Sequence, residues 1–176
     1  MIEFADYQCP HCKKAAARVE ELLKSPPKGP MRFAFRNFPL DAHQQARPAA
    51  MAAEAASKQG KFWEMHDLIF KHQDELEKSG FTNHRFEDWA GELKLDMDRF
   101  KKDSQSQEVA DRVINDHVAG EVTGLSITPS FYIITPTRIT LLSGIDALEA
   151  AWKDPNDKAW KTENDSSAGN DRKAPK

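Results

Sequence analysis

The sequence is poor in cysteine, has no excess of positive charge and contains no long apolar run, and each shortage removes a class of protein. Two cysteines in 176 residues exclude a small fold stapled by several disulfides. Lysine and arginine number 25 against 28 aspartates and glutamates, a formal net charge of -3. Without a basic surplus to neutralise phosphates, nucleic acid is excluded as a general partner. No apolar stretch approaches the roughly 20 residues that cross a bilayer, so stable membrane insertion is not expected. A secretory leader is also missing: Met1 runs directly into Ile2, Glu3 and Phe4, which read as the interior of a strand, and upstream sequence is expected to have been removed or lost.

What is present is a chain long enough to bury a core, with its polarity concentrated beyond Trp152. Ile2 to Ala5 is a short strand candidate, and Pro10 stands where proline suits the first turn of a helix predicted over about His11 to Lys24. Alternation of Met31, Phe33 and Phe35 with Arg32, Ala34 and Arg36 predicts a second strand. Strand, helix and strand within this length make a βαβ unit with parallel strands. From Asp41 to Gly124 the pattern is helical: Ala49–Lys58, Lys61–Leu76, His84–Leu93, Asp96–Ser104 and Gln107–Thr123. "SFYII" and "RITLLS", joined through Thr135-Pro136-Thr137, predict a β-hairpin, followed by a short helix over Asp146–Lys153. Beyond it the chain is polar and punctuated by proline, and disorder is expected from residue 154 to residue 176.

Both cysteines fall in "FADYQCPHCKKAA", three positions apart, a spacing that two randomly placed cysteines reach only about one time in a hundred. The order of elements puts Cys9 at a helix N-terminus. Unpaired amides and the positive end of the helix dipole favour its thiolate there, with His11 adding to this as a donor or when protonated. Cys9 is thus expected to be acidic, exposed and a good leaving group, and Cys12, one turn deeper, to be the resolving thiol. An incoming protein thiolate attacks Cys9 of the oxidised pair, displaces Cys12 and is resolved by a second thiol. Stabilising the reduced form makes the disulfide more oxidising, which points to a donor of disulfides. Glu3, six residues before Cys9, is either a proton relay beneath the helix start near Cys12 or a strand-edge carboxylate facing water. Thr128-Pro129 precedes a strand, and is either a cis peptide at a tight bend or an ordinary trans loop.

Four separated segments, "FADYQCPHC", "RNFPLDAHQQARPAAMAAEAA", "GKFWEMHDLIF" and "GLSITPSFYI", resemble the DsbA-like thiol-disulfide oxidoreductases over about Ile2 to Lys153. The resemblance implies an α/β thioredoxin-like fold, with a discontinuous domain over 1–40 and 125–153 and a helical insertion over 41–124. It further implies a nucleophilic Cys9, a resolving Cys12, Pro10 and a tuning His11 between them, a buried Glu3 and a cis Pro129 facing the disulfide. Thr128, Pro129 and Ile127 are then expected to contact substrate, with Ile127 standing where glycine is common in the family. No cofactor beyond the Cys9–Cys12 disulfide is expected. The implied partners are protein thiols and a redox partner that regenerates the disulfide, and the implied location is periplasmic or exported. The alternatives are a reductase or isomerase of the same fold, a noncatalytic module, or a zinc site using Cys9, His11 and Cys12 with a distant His43 or His117. His43, His66, His72 and His84 are given structural or surface roles.

Overall fold

The strands β1 (Ile2–Ala5), β2 (Ala34–Asn37), β3 (Ser130–Ile134) and β4 (Ile139–Ser143) form one sheet of order β2-β1-β3-β4 in the computed structural model, which describes residues 1–76, 78, 82 and 84–161. As predicted, β1 and β2 are parallel, across the helix α1 (Pro10–Leu23). β3 runs antiparallel to both β1 and β4. Register partners point to the same face of a sheet. One cross-strand row therefore reads Phe35, Glu3, Phe131 and Leu142, all buried. This face carries α1 and the last helix, α8 (Ile145–Lys153), tied together by Arg18 Nε donating to Glu149 Oε1 at 2.7 Å.

Between β2 and β3 come α2 (Ala46–Ser57), α3 (Phe62–Lys71), α4 (Gln73–Leu76), α5 (His84–Glu92), α6 (Met97–Ser104) and α7 (Gln107–Val122). Alanine dominates α2, where seven buried alanines let neighbouring helices approach closely, while Met65, Ile69, Phe70, Phe86, Trp89 and Phe100 fill the space around them. That core is continuous with Ala5, Tyr7, Cys9 and Cys12, so the helical segment packs directly against the cysteine pair. A buried polar pin adds direction. Asp116 on α7 accepts from the Asn37 backbone N–H at 3.1 Å and from Arg36, and Asn37 Nδ2 donates to Glu54 Oε1 at 2.9 Å.

On the opposite sheet face, Gly120 of α7 sits against Phe38 and Phe4. A β-carbon there would come within 2.6 Å of two Phe38 ring atoms and 3.2 Å of Phe4. The Phe38 ring cannot slide aside freely, being stacked on His117 with centroids 4.4 Å apart. Gly120→Ala is expected to destabilise by about 1–3 kcal/mol through overpacking, read as a lower urea midpoint with an unchanged slope. A midpoint equal to wild type would show that the interface yields.

Two sequence expectations change. The predicted Lys61–Leu76 helix breaks at His72, because Gln73 turns its side chain inward to the segment before α1. The ordered body also runs past Lys153. Ala159 and Trp160 are buried, Trp160 Nε1 donates to Ala151 O at 2.6 Å, and its ring meets Trp152 edge-on at 5.2 Å. The anticipated disorder therefore does not hold for residues 154–161, and residues 162–176 lie outside the described residues.

Candidate active site

Pro10 at the first helical position fixes φ and has no N–H to leave unpaired, so the helix can begin immediately after Cys9. Cys9 is the N-cap residue, with φ -73° and ψ 122°, and its carbonyl accepts from the N–H groups of Cys12 and Lys13 at 3.0 and 3.2 Å. The loop before it is organised by Asp6. Its Oδ1 accepts from the N–H groups of Gln8 at 2.6 Å and Cys9 at 3.1 Å, an Asx-type turn, and its own N–H donates to Cys12 Sγ at 3.4 Å. Gln73 closes the arrangement from the helical segment, donating through Nε2 to Tyr7 O and Cys9 O at 2.8 and 2.9 Å.

The Thr128–Pro129 bond is cis, and the loop carrying it lies over the cysteine pair, with Cys9 Sγ 3.7 Å from Thr128 O. Ser130 Oγ donates to Ile127 O at 2.8 Å and Gly144 N donates to Pro129 O at 2.9 Å, which fixes the loop to β3 and to the start of α8. A cavity of about 530 Å³ opens here, lined by Cys9, Pro10, His11, Ile127, Thr128 and Pro129, with Leu40, His43 and Asp146 on its walls. The structure thus brings together Cys9, Cys12, Pro10, His11, Ile127, Thr128 and Pro129, while Glu3 lines a different cavity and His117 lies against Glu121.

The two thiols are chemically unlike. Cys9 is pushed down to about 5, chiefly by the hydrogen bond from the Cys12 thiol, helped by Thr128 and by the backbone N–H groups of Cys12 and His11, against the opposing effect of burial. Cys12 is pushed far up, first by burial and then by donating its proton to Cys9. One sulfur carries the negative charge while its neighbour holds a proton.

Three sequence expectations need correction in detail. Cys9 is not exposed: it is 5% accessible, because the Thr128–Pro129 loop covers it. The contribution of His11 to the Cys9 thiolate comes through its backbone N–H, while its side chain is exposed. Glu3 is buried, at 2% exposure, as the resemblance implies, which removes the reading of a strand-edge carboxylate facing water. Glu3 opens toward a second cavity of about 720 Å³ between α1 and α3, lined by Lys13, Ala16, Trp63 and His66, and burial pushes its carboxyl up to about 8.

Two residues at the site, Asp6 and Gln73, were not assigned from the sequence, and His43 was named there only as a possible zinc ligand or a structural or surface residue. Asp6 had a visible signal, an aspartate three residues before the helix-capping Cys9, which is Asx-turn chemistry. Gln73 had none, since it reaches the site from elsewhere in the chain. Among the described residues no group of three or more histidine, cysteine, aspartate or glutamate side chains is placed to hold a metal. His43 Nδ1 lies against Asp6 and His117 Nε2 against Glu121.

Comparison with known proteins agrees with this geometry. The family model described as thioredoxin matches residues 1–151. Among solved structures, a thioredoxin-like oxidoreductase from Silicibacter pomeroyi is 27% identical, with a TM-score of 0.63 over 87% of this chain and 86% of that one. DsbA2 of Pseudomonas aeruginosa is 22% identical, with a TM-score of 0.65 over 89% of each chain. BdbD of Bacillus subtilis is 24% identical, with a TM-score of 0.67 over 88% of this chain and 85% of that one. Among curated proteins, the Na(+)/H(+) antiporter NhaA 3 of Salinispora tropica is 40% identical over 134 residues, which are 76% of this chain and 20% of the antiporter. The chain spans about a fifth of the length of the curated relatives it matches. No helix among the described residues is long and apolar enough to cross a membrane.

Proposed function

Because the chain belongs to the thioredoxin family and has the DsbA-like form of its fold, we propose that it exchanges disulfides with protein thiols through Cys9 and Cys12, in the direction of oxidation. The observation that carries this reading is the asymmetry of the two thiols. In the oxidised pair, a substrate thiolate attacks Cys9 Sγ, the Cys9–Cys12 bond breaks, and Cys12 leaves and takes up a proton that its buried position holds firmly. A second substrate thiolate then attacks the substrate sulfur of the mixed disulfide, and Cys9 departs as a stabilised thiolate. Two electrons pass into the cysteine pair and one disulfide passes to the substrate. The cis Pro129 loop supplies the wall against which a substrate backbone lies, and Ile127, half exposed beside it, sets how closely that backbone approaches.

The direction follows from the sign of the Cys9 shift. A thiol held at about 5 is ionised roughly a hundredfold over its protonated form at pH 7, whereas an ordinary thiol is mostly protonated. That stabilises the reduced protein by about two factors of ten, equivalent to roughly 60 mV toward a more oxidising disulfide. A dithiol oxidant is useful only where thiols are not kept reduced, which places the protein in an oxidising, exported compartment with a partner that restores the disulfide. Equilibration with glutathione at neutral pH, followed by intrinsic fluorescence or gel shift, tests the direction. A potential well above that of thioredoxin is expected, and one near about -270 mV would sink the oxidase reading.

A further inference from the structure

His43 stands on the wall of the redox cavity and is held there by a residue that also holds Cys9. Its Nδ1 lies 2.8 Å from Asp6 Oδ2, which also accepts the Leu40 N–H at 2.7 Å. The other oxygen of the same carboxylate accepts the N–H groups of Gln8 and Cys9. Four donors converge on a carboxylate that is 1% exposed, so its position is fixed, and it orients the ring that binds it. A carboxylate can only accept, so the proton lies on Nδ1 and the lone pair on Nε2. The side chain is 23% exposed and lines the cavity shared by Cys9 and Pro129, and Nε2 has no hydrogen-bond partner among the described residues.

We propose that Asp6 and His43 form a proton-transfer dyad for the substrate, with His43 Nε2 taking the proton of the incoming protein thiol as its sulfur attacks Cys9. The inference rests on the exchange reaction proposed above and adds to it a base on the substrate side. Such a base has a clear task. Only the thiolate attacks a disulfide, and a protein thiol of ordinary acidity is mostly protonated at neutral pH. Cys9 cannot serve, because in the oxidised protein its sulfur is bonded to Cys12. Glu3 cannot either, since it opens into the other cavity, between α1 and α3.

The step balances. Substrate S–H gives its proton to Nε2, its electron pair forms the new S–S bond to Cys9, and the electrons of the Cys9–Cys12 bond leave on Cys12, which takes up one proton drawn from solvent. The imidazolium beside Asp6 then releases its proton to solvent. The ionisable groups that contact His43 or share its cavity are Asp6 before α1, Cys9 at the cap of α1, His11 on α1 and Asp146 on α8; residues 126–129 contribute none. Here His43 acts on the reacting sulfur, and Asp6 is a positioning residue.

The test compares wild type with His43→Asn and His43→Gln, following reduction of the oxidised protein by a cysteine peptide across pH by stopped flow. Asparagine places a donor near the position of Nδ1 and retains the bond to Asp6, while glutamine retains the reach. Both variants are expected to lose about 10²-fold in rate near pH 6.5 and to converge on wild type near pH 9, where the peptide thiol is already ionised. An aromatic thiol, ionised throughout that range, should react at the same rate with all three proteins. Equal slowing with both thiols, or variant profiles parallel to wild type, would overturn the dyad while leaving disulfide exchange intact. Failure of wild type to react with either thiol would overturn the exchange reading itself, and the dyad with it.

Discussion

Replacing Cys9 by serine is expected to lower disulfide transfer to a reduced, unfolded protein by at least about a thousandfold, because it removes the sulfur at which the substrate attacks and the only acidic thiol of the pair. The same chemistry has a signature in the unaltered protein. A thiol held at about 5 is almost wholly ionised at both pH 6 and pH 8, so alkylation of reduced Cys9 by iodoacetamide should be nearly flat over that interval. A free cysteine gains about 80-fold across it. Cys12, buried and pushed up, should resist the reagent throughout. The sign extends to stability. The folded-state value of Cys9 is depressed, so its stabilisation of the reduced protein is fully present above the ordinary thiol range and is lost as pH falls through about 5. The oxidised protein has no such thiol, and the difference in unfolding stability between the two redox forms should shrink as pH falls from 8 to about 4. Alkylation rising tenfold per pH unit, or Cys9→Ser retaining transfer, would remove Cys9 as the nucleophile.

The sequence and the structure agree where the determinants are local. Pro10 directly after Cys9 and alternation in the strands are read over a few residues, and β1, α1, β3 and β4 lie where those patterns place them, while β2 begins only at Ala34 rather than Met31. The placement of the two thiols at a helix N-terminus is equally local. What escaped the sequence was assembled across distance. His43 meets Asp6 over 37 positions and Gln73 meets Cys9 over 64, while Thr128, set against the pair beforehand only by the family resemblance, meets Cys9 over 119. No periodicity reports such meetings. The burial of Cys9 was missed for that reason: a helix N-terminus viewed alone is open to water, and only the loop brought by β3 closes it. Trp160 is a similar case, since a tryptophan in a polar stretch gives no sign of the Trp152 ring and the Ala151 carbonyl that receive it.

Glu3→Gln is expected to stabilise the protein at mildly alkaline pH and to leave it nearly unchanged in acid. In the sheet, Glu3 is flanked by Phe35 on one side and Phe131 on the other, with Leu142 completing the row, and burial pushes its carboxyl from 4.5 up to about 8. Below the ordinary carboxyl range Glu3 is neutral in both folded and unfolded chains and costs nothing electrostatically. As pH rises from about 4.5 to about 8, the unfolded chain ionises first, the folded chain must keep a proton or bury a charge, and stability falls. Above about 8 the loss levels off. Glutamine cannot ionise, so Glu3→Gln should flatten this slope, with a gain on the order of 4 kcal/mol near pH 8.5 and less than about 1 kcal/mol near pH 4. Urea unfolding at the two pH values measures both. Parallel pH dependence in the variant and wild type would mean that the carboxylate is solvated through the cavity between α1 and α3. In that case the apolar row does not control its protonation, and Glu3 is a charged wall of that cavity at neutral pH.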